Sequence, residues 1–256
     1  MRVNPVVEKE RVIYNRIETF ERLYDVSYPV WEYERRVGRR VRDKYLNLSI
    51  DRGYEHYRIT NVGEMGKAGI LTSFYKNMRE FMNKEGEFLV IFNMISGKPV
   101  SLVIRDIGGK TVLDHVLYSC FYGVDLLKEN FRFGDYIVIT EGVYDADVFR
   151  VIYGNTIAML TSSVSSMQAE MLSTITKRFI IAFDNDGAGE RGTETAIKNL
   201  KKVRDSNEVE VLKVYNEDKD LGEMEEKKDL MGAYESRKTY YESSLRILTG
   251  GGDISE

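Results

Sequence analysis

The chain has 256 residues, 43% of them hydrophobic and 30% charged, which is enough for one large domain or two small ones with a real core. No apolar run reaches about 18 residues and the first residues, MRVNPVVEKERVIYNR, lack an apolar signal core, so neither a membrane span nor a secretory leader is expected. A single cysteine, Cys120, rules out an internal disulfide and any zinc site built on several cysteines, and fits a reducing cytoplasm.

The net charge of −4 is unevenly spread. Residues 1–110 carry 20 Lys and Arg against 15 Asp and Glu, and residues 111–256 carry 17 against 26. A basic first part suits an anionic polymer, and an acidic second part concentrates cations.

Residues 8–46 read as mostly helical, with Pro29 as an interruption. Within them RRVGRRVRDK carries Arg35, Arg36, Arg39, Arg40, Arg42 and Lys44. That run is either a solvated helix face or a phosphate-contacting patch, with Tyr33 and Tyr45 placed to stack on bases. Residues 50–70 read as irregular or short strands, and 71–85 as a short helix on the spacing of Leu71, Phe74, Met78 and Phe81. EFLVIFNMI and PVSLVIRDI, joined by Ser96-Gly97-Lys98, predict a hairpin whose second strand ends near Arg105.

Beyond residue 135 the rhythm changes. Strands are expected at 136–140, 156–160, 178–183 and 209–214, with helices near 145–153, 166–176 and 189–203 between them. Short, near-continuously apolar strands alternating with helices predict a parallel sheet covered on both faces. Polar helices and a loose tail, TGGGDISE, should follow. The expected division is a basic mixed α/β subdomain at 1–115, an α/β domain with the parallel sheet at 116–222 and a helical segment at 223–256.

In an open parallel sheet, ligands bind beyond the carboxyl ends of the strands. Glu141-Gly142-Val143-Tyr144-Asp145 follows the first strand, Thr161-Ser162-Ser163 the second, Asp184-Asn185-Asp186-Gly187 the third and Asn216-Glu217-Asp218-Lys219-Asp220 the fourth. One acid after a strand is an ordinary helix cap. Acids after three strands on one rim suggest a site.

Gly187-x-Gly189-x-x-Gly192 has the spacing of a dinucleotide-binding turn. Asp184 and Asp186 oppose a bare pyrophosphate there, since like charges about 4 Å apart repel by roughly 4 kcal/mol at an effective dielectric of 20. An EF-hand starting at Asp184 would need ligands at Ala188 and Thr195, which ligate poorly. A carboxylate cluster for a hard divalent cation remains: Mg²⁺ accepts a few carboxylates, keeps waters and gathers phosphates. On this reading Gly187 and Gly189 turn the chain, Gly142 lets the backbone pass close to a ligand, and Gly192 is incidental.

EGVYD at 141–145 and DNDGAG at 184–189, each after an apolar strand, resemble the two signatures of the Toprim domain. Primases, topoisomerases, some nucleases and recombination-repair proteins share that domain. FYGVD at 121–125, the 88–106 hairpin and Lys219-Asp220 are similar to the catalytic core of bacterial and phage DNA primases over about 88–221.

The resemblance implies that Glu141 is the general acid/base and that Asp184 and Asp186 hold Mg²⁺ or Mn²⁺, with Asp145, Asp218 and Asp220 as accessory acids. It puts Arg105, Lys98 and Lys110 on a basic track for template or nucleotide, beside the arginine run. It implies RNA primers made from nucleoside triphosphates on single-stranded DNA, and a replicative helicase as a partner. One cysteine and two histidines, His56 and His115, cannot build the zinc module of such primases, which suggests a separate zinc-binding chain. The turn after the second strand also lacks the glycine that the family carries. A minimal core, or a piece of a longer protein, is therefore expected, and a phage origin fits. A nuclease using the same acids is the competing function, and a DNA-binding adaptor a third. A topoisomerase would need a tyrosine on a gate domain, for which the chain has no room.

Overall fold

A computed structural model of the chain describes residues 5–38, 43–70, 86–107, 112–115, 121–127 and 131–212. They divide between two compact units, Met1–Cys120 and Phe121–Glu256.

The first unit is an antiparallel sheet of five strands with helices. In chain order it holds α1 (Pro5–Val26), β1 (Tyr28–Pro29), α2 (Val30–Val37), α3 (Lys44–Arg52), β2 (Tyr57–Asn61), α4 (Val62–Ala68), β3 (Glu87–Ile95), β4 (Lys98–Asp106) and β5 (Val112–His115), with strand order β1-β2-β3-β4-β5. Pro29 does interrupt the first helical stretch. It pairs with Arg58 in the sheet and then caps α2, where its fixed φ and missing N–H do no harm. Asp43 starts α3 by accepting from the N–H groups of Tyr45 (2.9 Å) and Leu46 (3.1 Å).

The hairpin forms as the sequence predicts, turning on Ser96 (φ 52°) and Gly97 (φ 74°). Phe88, Val90 and Phe92 face Phe20 and Leu23 of α1 and Met65 and Ala68 of α4. The alternate residues Leu89 and Ile91 pair with Arg105 and Val103 of β4 and with Ile59 and Tyr57 of β2, and are equally buried. That two-sided burial is why EFLVIF shows no alternation.

The 50–70 stretch differs from expectation: α3 runs on to Arg52 and α4 forms at 62–68. The Asn61 side chain accepts from the Glu64 N–H at 3.0 Å, and burial of Met65 and Ala68 outweighs the low helix propensity of Gly63 and Gly66. The helix expected at 71–85 and those expected after 222 lie outside the described residues.

The second unit carries the parallel sheet. β6 (Tyr136–Thr140), α5 (Val143–Tyr153), β7 (Thr156–Ala158), α6 (Ser166–Ile175), β8 (Arg178–Ala182), α7 (Gly187–Val203) and β9 (Glu208–Val211) alternate along the chain. The strand order is β7-β6-β8-β9, and every pair is parallel. Ile137, Ile139, Phe179 and Ile181 face Ala169 and Leu172 of α6 and Ala196 and Leu200 of α7. Val138 and Ile180 face Phe149 of α5 on the other side. Helices on both faces account for the fully apolar strands, each buried isoleucine contributing about 1.5–3 kcal/mol.

Candidate active site

The chain runs from β6 through α5 to β7 on one side, then returns to place β8 on the other side of β6. Strand order therefore reverses between β6 and β8, where open α/β sheets form a crevice at their carboxyl ends. Glu141 leaves β6 there, and Asp184 to Asp186 follow β8 next to it. With Thr140 opposite Ala182, neighbouring strands roughly 4.8 Å apart bring Glu141 and Asp184 together.

The contact is direct: Oε1 of Glu141 accepts the Asp184 backbone N–H at 3.2 Å. The Glu141 carbonyl accepts the Leu160 N–H at 3.0 Å, tying the turn after β7 to the same spot. Leu160 holds φ 60°, left-handed backbone that favours glycine, just before the turn Thr161-Ser162-Ser163. Asp186 caps α7, its Oδ1 accepting from the N–H groups of Ala188 and Gly189, both at 2.8 Å. Asp145 lies in the first turn of α5, and its Oδ2 would be 2.7 Å from a Cβ on Gly142.

Two glycines make this packing possible. A Cβ at Gly189 would stand 2.1 Å from the Asp184 carbonyl oxygen and 3.0 Å from Oε1 of Glu141. A Cβ at Gly192 would stand 1.7 Å from the Ser162 carbonyl oxygen. Gly192 is therefore not incidental, because it lets α7 lie directly against the loop after β7. Gly187 and Gly189 do not adopt left-handed backbone, so close approach rather than a sharp turn is what the Gly189 position requires.

Glu141 is half-buried and its carboxyl is pushed up from 4.5 to about 7. Burial is the main cause, followed by the charge of Asp184 and then that of Asp186, while the Asp184 N–H pulls the other way. A carboxyl so placed changes charge near neutral pH or with a cation alongside. Glu141, Asp184 and Asp186 offer only hard oxygen donors in an open arrangement, which suits Mg²⁺ or Mn²⁺ that retain waters and take up phosphate oxygens. Among the described residues no three His, Cys, Asp or Glu side chains are grouped closely enough to hold a metal ion by themselves. Asp218 and Asp220, the accessory acids expected after β9, lie outside the described residues.

The basic residues of the first unit separate. Arg105 is 8% exposed and its guanidinium lies 3.5 Å from the Tyr45 ring centroid. Lys98 is at the turn end of the same strand, seven residues or roughly 23 Å away, paired with Glu21 at 3.3 Å. Arg36 bonds Glu32 at 2.6 and 3.0 Å and stacks 3.9 Å from the Tyr28 ring centroid, and Arg35 approaches Glu32 at 3.7 Å. Arg39, Arg40 and Lys110 lie outside the described residues.

Sequence reasoning missed one cluster. Asp147, fully buried in α5, accepts from the Tyr122 hydroxyl at 2.8 and 3.0 Å and is ion-paired with Arg150. Arg150 also donates to the Thr156 carbonyl at 2.6 Å. Tyr122 belongs to the FYGVD segment and bridges to Ala158, so the cluster pins that segment against the edge of β7. Asp145 and Asp147, two residues apart on a helix, point about 200° apart. That periodicity was the available signal.

Residues 138–224 match the family described as Toprim-like. Solved structures similar to the chain include a DnaG primase catalytic domain bound to single-stranded DNA (14% identity, TM-score 0.59, 92% of this chain and 87% of that one). A DNA primase domain from Pseudomonas aeruginosa matches at 17% identity with TM-score 0.55, over 78% of this chain and 72% of that one. A DnaG catalytic core matches at 17% identity with TM-score 0.50 over 63% of this chain, which spans 57% of its length. At these identities the likeness is one of fold: a Toprim-like sheet preceded by an antiparallel unit, as in primase catalytic cores. No curated protein matches the chain.

Proposed function

We propose that the chain is the catalytic core of a DNA-dependent RNA primase, joining nucleoside triphosphates into short primers on single-stranded DNA. The observation that carries this reading is the pairing of Glu141 with Asp184 at the sheet's switch point, within a fold shared with primase cores over most of the chain. A catalytic domain of that fold bound to single-stranded DNA supports the choice of template.

In this reading the 3′-hydroxyl of the growing strand attacks the α-phosphorus of the incoming triphosphate. One P–O bond forms, the bond to pyrophosphate breaks, and pyrophosphate leaves. Glu141 takes the hydroxyl proton, which its position near neutrality suits. Asp184 and Asp186, with Asp145 from the first turn of α5, would hold Mg²⁺ or Mn²⁺, which supplies charge neutralisation on the phosphates. Asp186 also fixes the start of α7, so the Asp184–Gly189 turn keeps its shape as substrate enters. Arg105, Lys98, Lys110 and the arginines at 35, 36, 39 and 40 contribute to template and nucleotide contact. A replicative helicase and a zinc-binding module complete the proposed assembly, in the cytoplasm. Among the described residues no helix is long and apolar enough to cross a membrane.

The test is incubation with single-stranded DNA, ribonucleoside triphosphates and Mg²⁺ or Mn²⁺, with and without a preformed primer. RNA products that fall about 10²–10⁴-fold in Glu141→Gln, and likewise in Asp184→Asn, are expected. Cleavage of the nucleic acid without synthesis would replace the primase by a Toprim-type nuclease.

A further inference from the structure

The chain's single tryptophan lies in the first unit and is exposed. Trp31, in the first turn of α2, is 60% exposed, although rings of this size are usually largely buried. It borders a cavity of about 430 Å³ within the first unit. Val30 and Ile50 give the cavity an apolar floor, and Tyr54, Arg58 and Glu55 complete the wall.

That wall is held from behind. Arg58 donates to the Ser27 carbonyl from Nε and Nη2, at 3.2 and 2.5 Å, and lies 4.3 Å from the Tyr24 ring centroid. Tyr54 stacks on Tyr57 with centroids 5.7 Å apart. Over the indole itself stands the Arg35 guanidinium, 5.9 Å from the ring centroid, on a side chain 72% exposed. From Arg35 to Lys44 the sequence has six cations and one acid, Asp43.

We propose that this cavity is a nucleobase-stacking subsite for single-stranded nucleic acid. One base lies on Trp31, and the phosphate beside it meets Arg35. The inference rests on the reading of the protein as acting on single-stranded DNA and adds a specific contact to it. An aromatic ring beside cations is the arrangement that holds single strands without regard to sequence, because every base has a π-face. The mixed wall favours the base rather than the phosphate inside the cavity. Glu55 is exposed and repels an anion, and the Arg58 guanidinium is already engaged by Ser27.

Because Trp31 is the only tryptophan, its emission reports this site alone. The full chain is titrated with oligothymidylate, with an abasic strand of equal length and with free nucleoside triphosphate. Strand binding is followed in parallel by anisotropy of a labelled oligonucleotide. Oligothymidylate should quench Trp31 saturably, and the abasic strand should bind more weakly without quenching. Trp31→Ala should weaken strand binding roughly ten-fold while keeping the salt slope, Trp31→Tyr should restore most of it, and Arg35→Ala should flatten the slope. Strand binding with unchanged Trp31 emission would overturn the subsite and leave the proposed function standing. Equal quenching by the abasic strand, or by free nucleotide at the same concentration, would overturn base stacking from a strand. Absence of any strand binding would defeat both the subsite and the template reading.

Discussion

The two units place charge by different rules. In the second, a parallel sheet sends every strand out on the same rim, so residues 43 apart, Glu141 and Asp184, meet because β6 and β8 are neighbours. In the first, Lys98 and Arg105 stand near opposite ends of one strand, β4, and seven residues of extended chain keep them far from each other. The acids are gathered by topology and repel. The described cations are dispersed, and several are matched locally by Glu21, Glu32 or an aromatic ring. Acids that follow neighbouring parallel strands therefore converge on one rim, whereas charges spaced along one strand do not.

If the second unit is organised around its rim, the parts that hold the rim should be the most sensitive to change. Asp147→Asn should produce the largest loss, about 3–5 kcal/mol by urea denaturation, because it leaves the Arg150 guanidinium buried without its counter-charge. A loss below about 1 kcal/mol would mean that the FYGVD segment is not pinned by this pair. Gly192→Ala comes next, at about 1–3 kcal/mol, since the added methyl runs into the Ser162 carbonyl. A neutral result would show that α7 can shift away from that loop without consequence.

These two positions also show where the sequence was legible. The rim acids could be read because a strand, a turn and a helix each have a sequence signature and parallel topology then fixes where the turns converge. Asp147 looks like Asp145 in the string EGVYDAD, and only helical periodicity with a partner on a distant segment tells them apart. Gly192 fits a phosphate-binding spacing by coincidence, because its role is a contact with Ser162, 30 residues earlier. The α4 helix was hidden by Gly63, Gly66 and Gly69, a loop-like composition overridden by packing.

A smaller effect tests the electrostatics of the rim. The Glu141 carboxyl sits near 7 in the folded protein against 4.5 for the free group, so the native state holds its proton more tightly. That contribution is complete below about pH 4.5 and is lost as the pH rises through about 7. In a chelator, Glu141→Gln should therefore be more stable than the parent at pH 8, by an amount of the order of 1 kcal/mol after solvent screening, and the difference should close toward pH 5. Millimolar Mg²⁺ should then stabilise the parent at pH 8 and the variant much less. Thermal melts at the two pH values, with and without Mg²⁺, measure both effects. Equal melting of parent and variant at pH 8 would mean that neither burial nor the charges of Asp184 and Asp186 burden Glu141.

The first unit should answer more weakly. The Lys98 side chain is 69% exposed and that of its partner Glu21 is 37% exposed, so their ion pair is screened and should contribute less than about 0.5 kcal/mol. Lys98→Ala should leave the urea midpoint almost unchanged. The informative measurement is the salt dependence of single-stranded DNA binding. A phosphate contact at Lys98 would lower the slope of log K against log salt by about 0.7 on its removal, while a residue serving only the Glu21 pair would leave it untouched. An unchanged slope for Lys98→Ala beside a reduced one for Arg35→Ala would route the strand along α2 rather than past the hairpin turn. The reverse would draw the template to the turn and deprive the Trp31 cavity of its phosphate contacts.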